Sequence, residues 1–228
     1  MNDQQGSEYD RLFYPFLFEG GSASADEVLA QVQLSTREKC AEVVALRRRT
    51  LEAYGDQIVA AGTAMARAFA RREPAGATLY AFGNGGSTTD AQDIVARLLD
   101  PPWPGAHPLP AVALTNDIAV VTAVANDAGF DNIFARQVIA FGRPGDIAVG
   151  FSTSGNSTNV LAALEQARKQ GMLTVGLAGY DGGNMARSGA LDFCIVAASE
   201  HIPRVQEAQA TVYHALLEVV FAVLHAEH

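Results

Sequence analysis

From Thr78 onward the chain alternates short apolar runs with longer stretches whose apolar positions recur at helical spacing. The runs Leu79 to Phe82, Ala111 to Leu114, Ile147 to Phe151, Leu173 to Leu177 and Phe193 to Val196 read as buried strands. Helical segments between successive strands require crossover connections, which make the strands parallel and lay helices on both faces of the sheet. The pattern predicts an α/β fold: a three-layer αβα sandwich on a five-stranded parallel sheet, Rossmann-like in its alternation.

Ahead of the first strand the pattern is helical. Ser24-Ala25-Asp26-Glu27 matches a capping box, in which the Ser and the Glu three residues on satisfy each other's free amides. Val28, Val32 and Leu34, then Val43, Val44, Leu46 and Leu51, give broken periodicity to about Tyr54, which predicts two helices with a joint near Ser35. A further helix is expected over Ile58 to Phe69. The last helix should run from about Arg204 to Leu224, with Pro203 where a first turn tolerates proline. Its stripe of Val212, Leu216, Val219, Val220 and Val223 reads as core or oligomer contact, while Gln206, Glu207 and His214 interrupt its polar face with groups capable of chemistry. Residues 1–23 form an extension in which Leu12 to Phe18 concentrates aromatics, expected to cover a core edge or reach a neighbouring subunit. The chain thus divides into that extension and one domain over 24–228, made of a helical lead-in (24–75) and an αβα core (76–228).

Two strand-to-helix turns stand out within this frame. Phe151-Ser152-Thr153-Ser154-Gly155-Asn156-Ser157 places hydroxyls, a glycine and the amides of a starting helix together, as a neutral cradle for phosphate oxygens. The same residues also make a good turn and N-cap. Gly83-Asn84-Gly85-Gly86-Ser87 repeats the arrangement after the first strand. In open parallel sheets, ligands bind outside the carboxyl ends of the strands, where two such loops can face one pocket.

Composition narrows the class. The net charge of -9 argues against binding a nucleic-acid backbone. The basic run Arg47-Arg48-Arg49 sits beside Glu42 and Glu52 on a helical segment, as a solvated face would. Cys40 and Cys194 are too few and too far apart for a disulfide framework or a cysteine metal site. No signal peptide and no uninterrupted apolar run of about 18 residues is visible, so the expectation is a cytoplasmic protein with no membrane contact.

Gly83 to Ser87, Ala125-Asn126-Asp127, Phe151 to Ser157, Gly179-Tyr180-Asp181-Gly182-Gly183 and Arg204-Val205-Gln206-Glu207, in this order, resemble the sugar isomerase (SIS) domain over roughly residues 40–226. Within that superfamily they are similar to the phosphoheptose isomerase branch. The resemblance implies the SIS fold, a homotetramer or homodimer with shared sites, and interconversion of sedoheptulose 7-phosphate with an aldoheptose 7-phosphate. It implies phosphate contacts at Ser152, Thr153, Ser154 and Ser157, further substrate contacts at Asn84, Gly85, Gly86, Ser87 and Gln206, and sugar hydroxyls read at Asn116 and Asp117. Moving a carbonyl along a sugar needs a base for the carbon-bound proton and an acid for the oxygen, and no redox cofactor. His214 is the candidate acid, since its ordinary pKa lies near working pH.

The pattern departs from the family at two positions. In phosphoheptose isomerases the helix after the glycine loop carries a His and, four residues later, a Glu, which join the Gln and His of the last helix around zinc. Here those positions are Asp93 and Arg97. A guanidinium offers no lone pair to a metal and accepts no proton, so the family base is absent. Asp93 can act as base or ligand, or can form an i to i+4 ion pair with Arg97. Asp93, Gln206 and His214 then remain as a weakened zinc set, and Asp93 or Glu207 as the replacement base, with Arg97 binding a further substrate group. The function expected is a phosphosugar-binding protein acting as an aldose-ketose isomerase of carbohydrate derivatives. The alternative is a catalytically inactive sugar-phosphate sensor, or a scaffold of the replication-initiator-associated type.

Overall fold

The computed structural model describes residues 25–71 and 76–226. Ser24 of the expected capping box and the aromatic extension over 1–23 lie outside them. Contacts divide the chain into two compact units, Met1–Val44 and Ala45–His228. In the first, the described residues are the opening turns of helix α1, where Leu29, Val32 and Leu34 are exposed. The second holds the sheet and the remaining helices.

Helix α1 runs unbroken over Ala25–Ala70, 46 residues, where two or three helices were expected. No proline falls in this stretch, and near the expected joint the Thr36 hydroxyl donates back to the Val32 carbonyl one turn earlier, so the polar pair is absorbed by the helix. Gly55 also sits inside it, where a Cβ would meet nothing.

The sheet is as the pattern predicts. Strands β1 (Leu79–Gly83), β2 (Ala111–Ala113), β3 (Ile147–Ser152), β4 (Leu173–Gly179) and β5 (Phe193–Ala197) pair in parallel in the order β2-β1-β3-β4-β5. Between them lie α2 (Gly86–Leu99), α3 (Ile118–Ala128), α4 (Ile133–Phe141), α5 (Thr158–Lys169) and the short α6 (Gly183–Arg187); α7 (Ile202–Ala226) closes the chain. Strand side chains alternate between two cores, as the two-residue period demands. Leu79, Ala81, Ile147, Val149 and Phe151 join one core with α1, α2 and α7, and Tyr80, Phe82 and Ala148 join the other with α4 and α5. Helix α7 is long and apolar enough to cross a membrane by composition alone. Its buried residues Val212, Leu216, Leu217 and Val220 instead fill the first of these cores.

The order reverses at β1 and β3. Their following helices pack on opposite faces, so the loops after them separate and leave a crevice at the carboxyl ends of the two strands.

Candidate functional site

The serine loop and the glycine loop flank that crevice. Strand β3 delivers Ser152, 2% exposed, whose Oγ lies 2.9 Å from Ser157 Oγ and also accepts weakly from the Ser157 amide at 3.4 Å. Ser157 precedes α5 and does not spend its side chain on capping it. Thr153 and Ser154 are half-buried, and Ser154 Oγ accepts from the Asn156 amide. Gly155, at φ +66°, brings the loop so close to the β4 turn that a Cβ would lie 2.1 Å from the Gly182 carbonyl. On the other loop Asn84 exchanges two 2.8 Å amide hydrogen bonds with Asn159 of α5, which ties the two loops together. Gly85 and Gly86 are exposed, and Ser87 is buried at the floor.

A seam between α2 and α7 adjoins the crevice. Gly86 opens α2, and a Cβ there would fall 2.1 Å from Gln206 Nε2, so only glycine lets that carboxamide lie over the start of the helix. Seven residues on, Asp93 Oδ2 accepts from Tyr213 Oη at 2.8 Å, and 213 is seven residues after 206. The helices therefore run parallel and in step. Asp93 Oδ2 also accepts from Arg97 Nε at 2.8 Å and faces His214 Nε2 at 3.3 Å. The Tyr213 ring stands edge-on to Phe151, 5.9 Å away, and to the His214 imidazole, 4.7 Å away, which links this cluster to the end of β3.

Burial alone would raise the Asp93 carboxyl. The bonds from Arg97, Tyr213 and His214, with the Arg97 charge, outweigh it and hold the group below the usual carboxylate range. The Tyr213 hydroxyl is driven well above its ordinary value, by burial first and then by its bond to Asp93. Asp90, one turn before Asp93, is pushed up to about 6 by burial and then by the charge of Asp93.

The zinc that the resemblance implies does not fit these residues. The one Asp93 oxygen aimed at His214 already meets a guanidinium and a phenol hydroxyl, and a cation placed there would lie against the Arg97 charge. Among the described residues no group of three or more His, Cys, Asp or Glu could hold a metal ion. Asp93 and His214 do come together, and the Gln206 carboxamide lies over Gly86. The same bonds make Asp93 a poor base, because a carboxylate held by three donors has little affinity for a proton.

Other expected residues carry local bonds. Asn116 Oδ1 accepts from Gln92 Nε2 at 2.8 Å, and Asp117 caps α3 by accepting from the Val120 amide at 3.1 Å. Both follow β2, beside the glycine loop. Glu207 is exposed on the first turns of α7. The sequence reading missed Tyr213, Asn159, Asp90 and Gln209. Only the seven-residue spacing of Asp93 from Gly86 and of Tyr213 from Gln206 could have pointed to the first of these. A cavity of about 760 Å³ lies elsewhere, at the last turns of α7, lined by Phe69, Trp103, Leu109, Glu218, Phe221 and His225.

Residues 40–179 match the family model described as SIS domain. The chain is 42% identical to a phosphoheptose isomerase of Roseiflexus sp. (strain RS-1) over 80% of its own length and 89% of that protein's. Among solved structures it is similar to the phosphoheptose isomerase of Neisseria gonorrhoeae, with a TM-score of 0.76 and 33% identity over 84% of this chain and 99% of that one. The Francisella tularensis phosphoheptose isomerase gives a TM-score of 0.77 and 31% identity over 84% and 98%. The chain belongs to the SIS-domain family, in its phosphoheptose isomerase branch.

Proposed function

We infer that the chain is an aldose-ketose isomerase of phosphorylated sugars, with sedoheptulose 7-phosphate as the first substrate to test. The observation that carries this reading is the hydroxyl-lined crevice between β1 and β3 in a chain 42% identical to a phosphoheptose isomerase. Family membership favours turnover over the sensor or scaffold alternative.

In this reading Ser152, Thr153, Ser154 and Ser157, with the amides that open α5, hold the phosphate as a remote handle. The Asn84 to Ser87 loop and Gln206 line the sugar, and Asn116 and Asp117 meet its hydroxyls at the β2 edge. His214 supplies and recovers the proton on the carbonyl oxygens. Asp93 is a positioning residue, holding Tyr213, Arg97 and His214 in one cluster. The reaction runs without zinc, because Arg97 occupies the place of a ligand. The protein acts in the cytoplasm as a homotetramer or homodimer. Exposed Leu51, Val59, Ile118 and Phe130 support self-assembly by offering apolar surface to a second copy.

The test is incubation with sedoheptulose 7-phosphate, following aldose formation by NMR. Turnover that disappears in His214→Ala supports the reading. Saturable binding of the phosphosugar without product would overturn it in favour of the sensor.

A further inference from the structure

An isomerase of this kind needs an acceptor for a carbon-bound proton, and none of the residues named so far serves. Position 97 is a guanidinium, Asp93 is held by three donors, and Glu207 is exposed. The seam between α2 and α7 contains two further polar side chains, both buried and both without partners. Asp90 is 7% exposed and has no hydrogen bond among the described residues; its Oδ2 is sealed from solvent, whereas Oδ1 is not. Gln209 is 1% exposed, and neither end of its carboxamide is satisfied.

The two lie at one level of the seam. Gly86 meets Gln206 and Asp93 meets Tyr213, seven residues later on each helix. Asp90, four residues after Gly86, and Gln209, three after Gln206, fall between those contacts, and Gly86, Asp90, Asp93 and Arg97 form one stripe on α2. Folding gains nothing from either buried group in this state, and native interiors seldom leave such groups unpaired without a use for them.

Resting on the isomerase reading, we propose that Asp90 is the catalytic base, carrying the proton between C1 and C2 of the sugar, with Gln209 at the same level of α7. The Asp90 carboxylate takes a proton from C1 of the ketose. The C–H electron pair becomes the C1–C2 double bond, and the former carbonyl oxygen at C2 takes a proton from His214, giving an enediol. His214 then recovers the proton of the C1 hydroxyl as the C1 carbonyl forms, and Asp90 returns its own to C2. No proton is gained or lost. A carboxyl pushed up to about 6 suits this work, since a base is most effective when its pKa lies near the working pH. The charged and titratable groups facing it are Asp93, with Arg97 beyond, on its own helix, and Tyr213 from α7, while His214 reaches the cluster through Asp93.

The experiment measures kcat, KM and exchange of substrate C–H for deuterium in D₂O, with sedoheptulose 7-phosphate, for the wild type, Asp90→Asn and Asp90→Glu. A wild type that binds without turnover overturns the isomerase reading itself and is recognised before any variant is compared. With an active wild type, Asp90→Asn is expected to lose roughly 10²–10⁴-fold in kcat. Its KM should stay within about threefold, its deuterium exchange should stop, and Asp90→Glu should recover part of the rate. Asp90→Asn retaining kcat within about tenfold, or losing affinity and rate together, would overturn the proposal. Should Asp90→Asn fail to fold, the acid limb of kcat/KM decides. In Asp93→Asn the limb should move to lower pH, because the neighbouring charge is gone, and a limb that stays in place removes Asp90 from the reaction.

Discussion

The seam between α2 and α7 has two halves built by the same two helices. In its first turns Gly86 and Asp93 face Gln206 and Tyr213, and at the levels between them Asp90 and Gln209 leave three buried polar atoms without a partner. In its later turns Ile94, Val95 and Leu98 share one apolar core with Leu216, Leu217 and Val220, all buried. Each buried aliphatic side chain contributes about 1.5–3 kcal/mol, so the later half holds the helices together while the first half weakens them. The contrast teaches that a polar stretch of buried seam is sustained by apolar packing next to it, and that such a stretch marks chemistry more reliably than the volume of an apolar cavity does.

The comparison breaks most visibly through His214. His214→Ala should lower kcat by roughly 10²–10⁴-fold while leaving the melting temperature near that of the wild type, since the side chain is half-buried and outside the apolar core. Leu216→Ala should do the reverse, lowering stability in urea by about 2–5 kcal/mol with kcat of the folded fraction unchanged. Asp90→Asn sharpens the contrast, because the same change that stops turnover should stabilise the fold. The unfolded carboxyl ionises near 3.8 and the folded one near 6, so across that window the native state binds more protons and stability falls as pH rises. The variant therefore gains about 1–3 kcal/mol above pH 6 and nothing below pH 3, read from paired urea titrations. The smallest effect expected is from chelation. Dialysis against EDTA should leave turnover unchanged, and isothermal titration with zinc should show no heat of binding at the Asp93 cluster.

The sheet was legible because its signals are local. Each strand is a short apolar run, and the hydroxyls after Phe151 and the glycines after Phe82 announce their loops without knowledge of anything distant. The ion pair of Asp93 with Arg97 was legible for the same reason, being four residues apart on one helix. Tyr213 was not, because its partner lies 120 residues away and the contact depends on the register of two helices. Asn159 was hidden likewise by its separation from Asn84. The unity of α1 escaped because broken apolar periodicity resembles a break in the chain, whereas helical residues that stay exposed, as Leu29, Val32 and Leu34 do, need no continuous stripe.

The in-step pairing of Gly86 with Gln206 and Asp93 with Tyr213 imposes a rule on how any relative that keeps it can drift. A single residue inserted between 86 and 93, or between 206 and 213, would swing everything after it by about 100° around its helix axis. Asp93 would then leave Tyr213, and the vacant levels of the seam would no longer coincide. Length variation should therefore accumulate in the Asp100 to Pro110 connection and be absent from these two seven-residue windows.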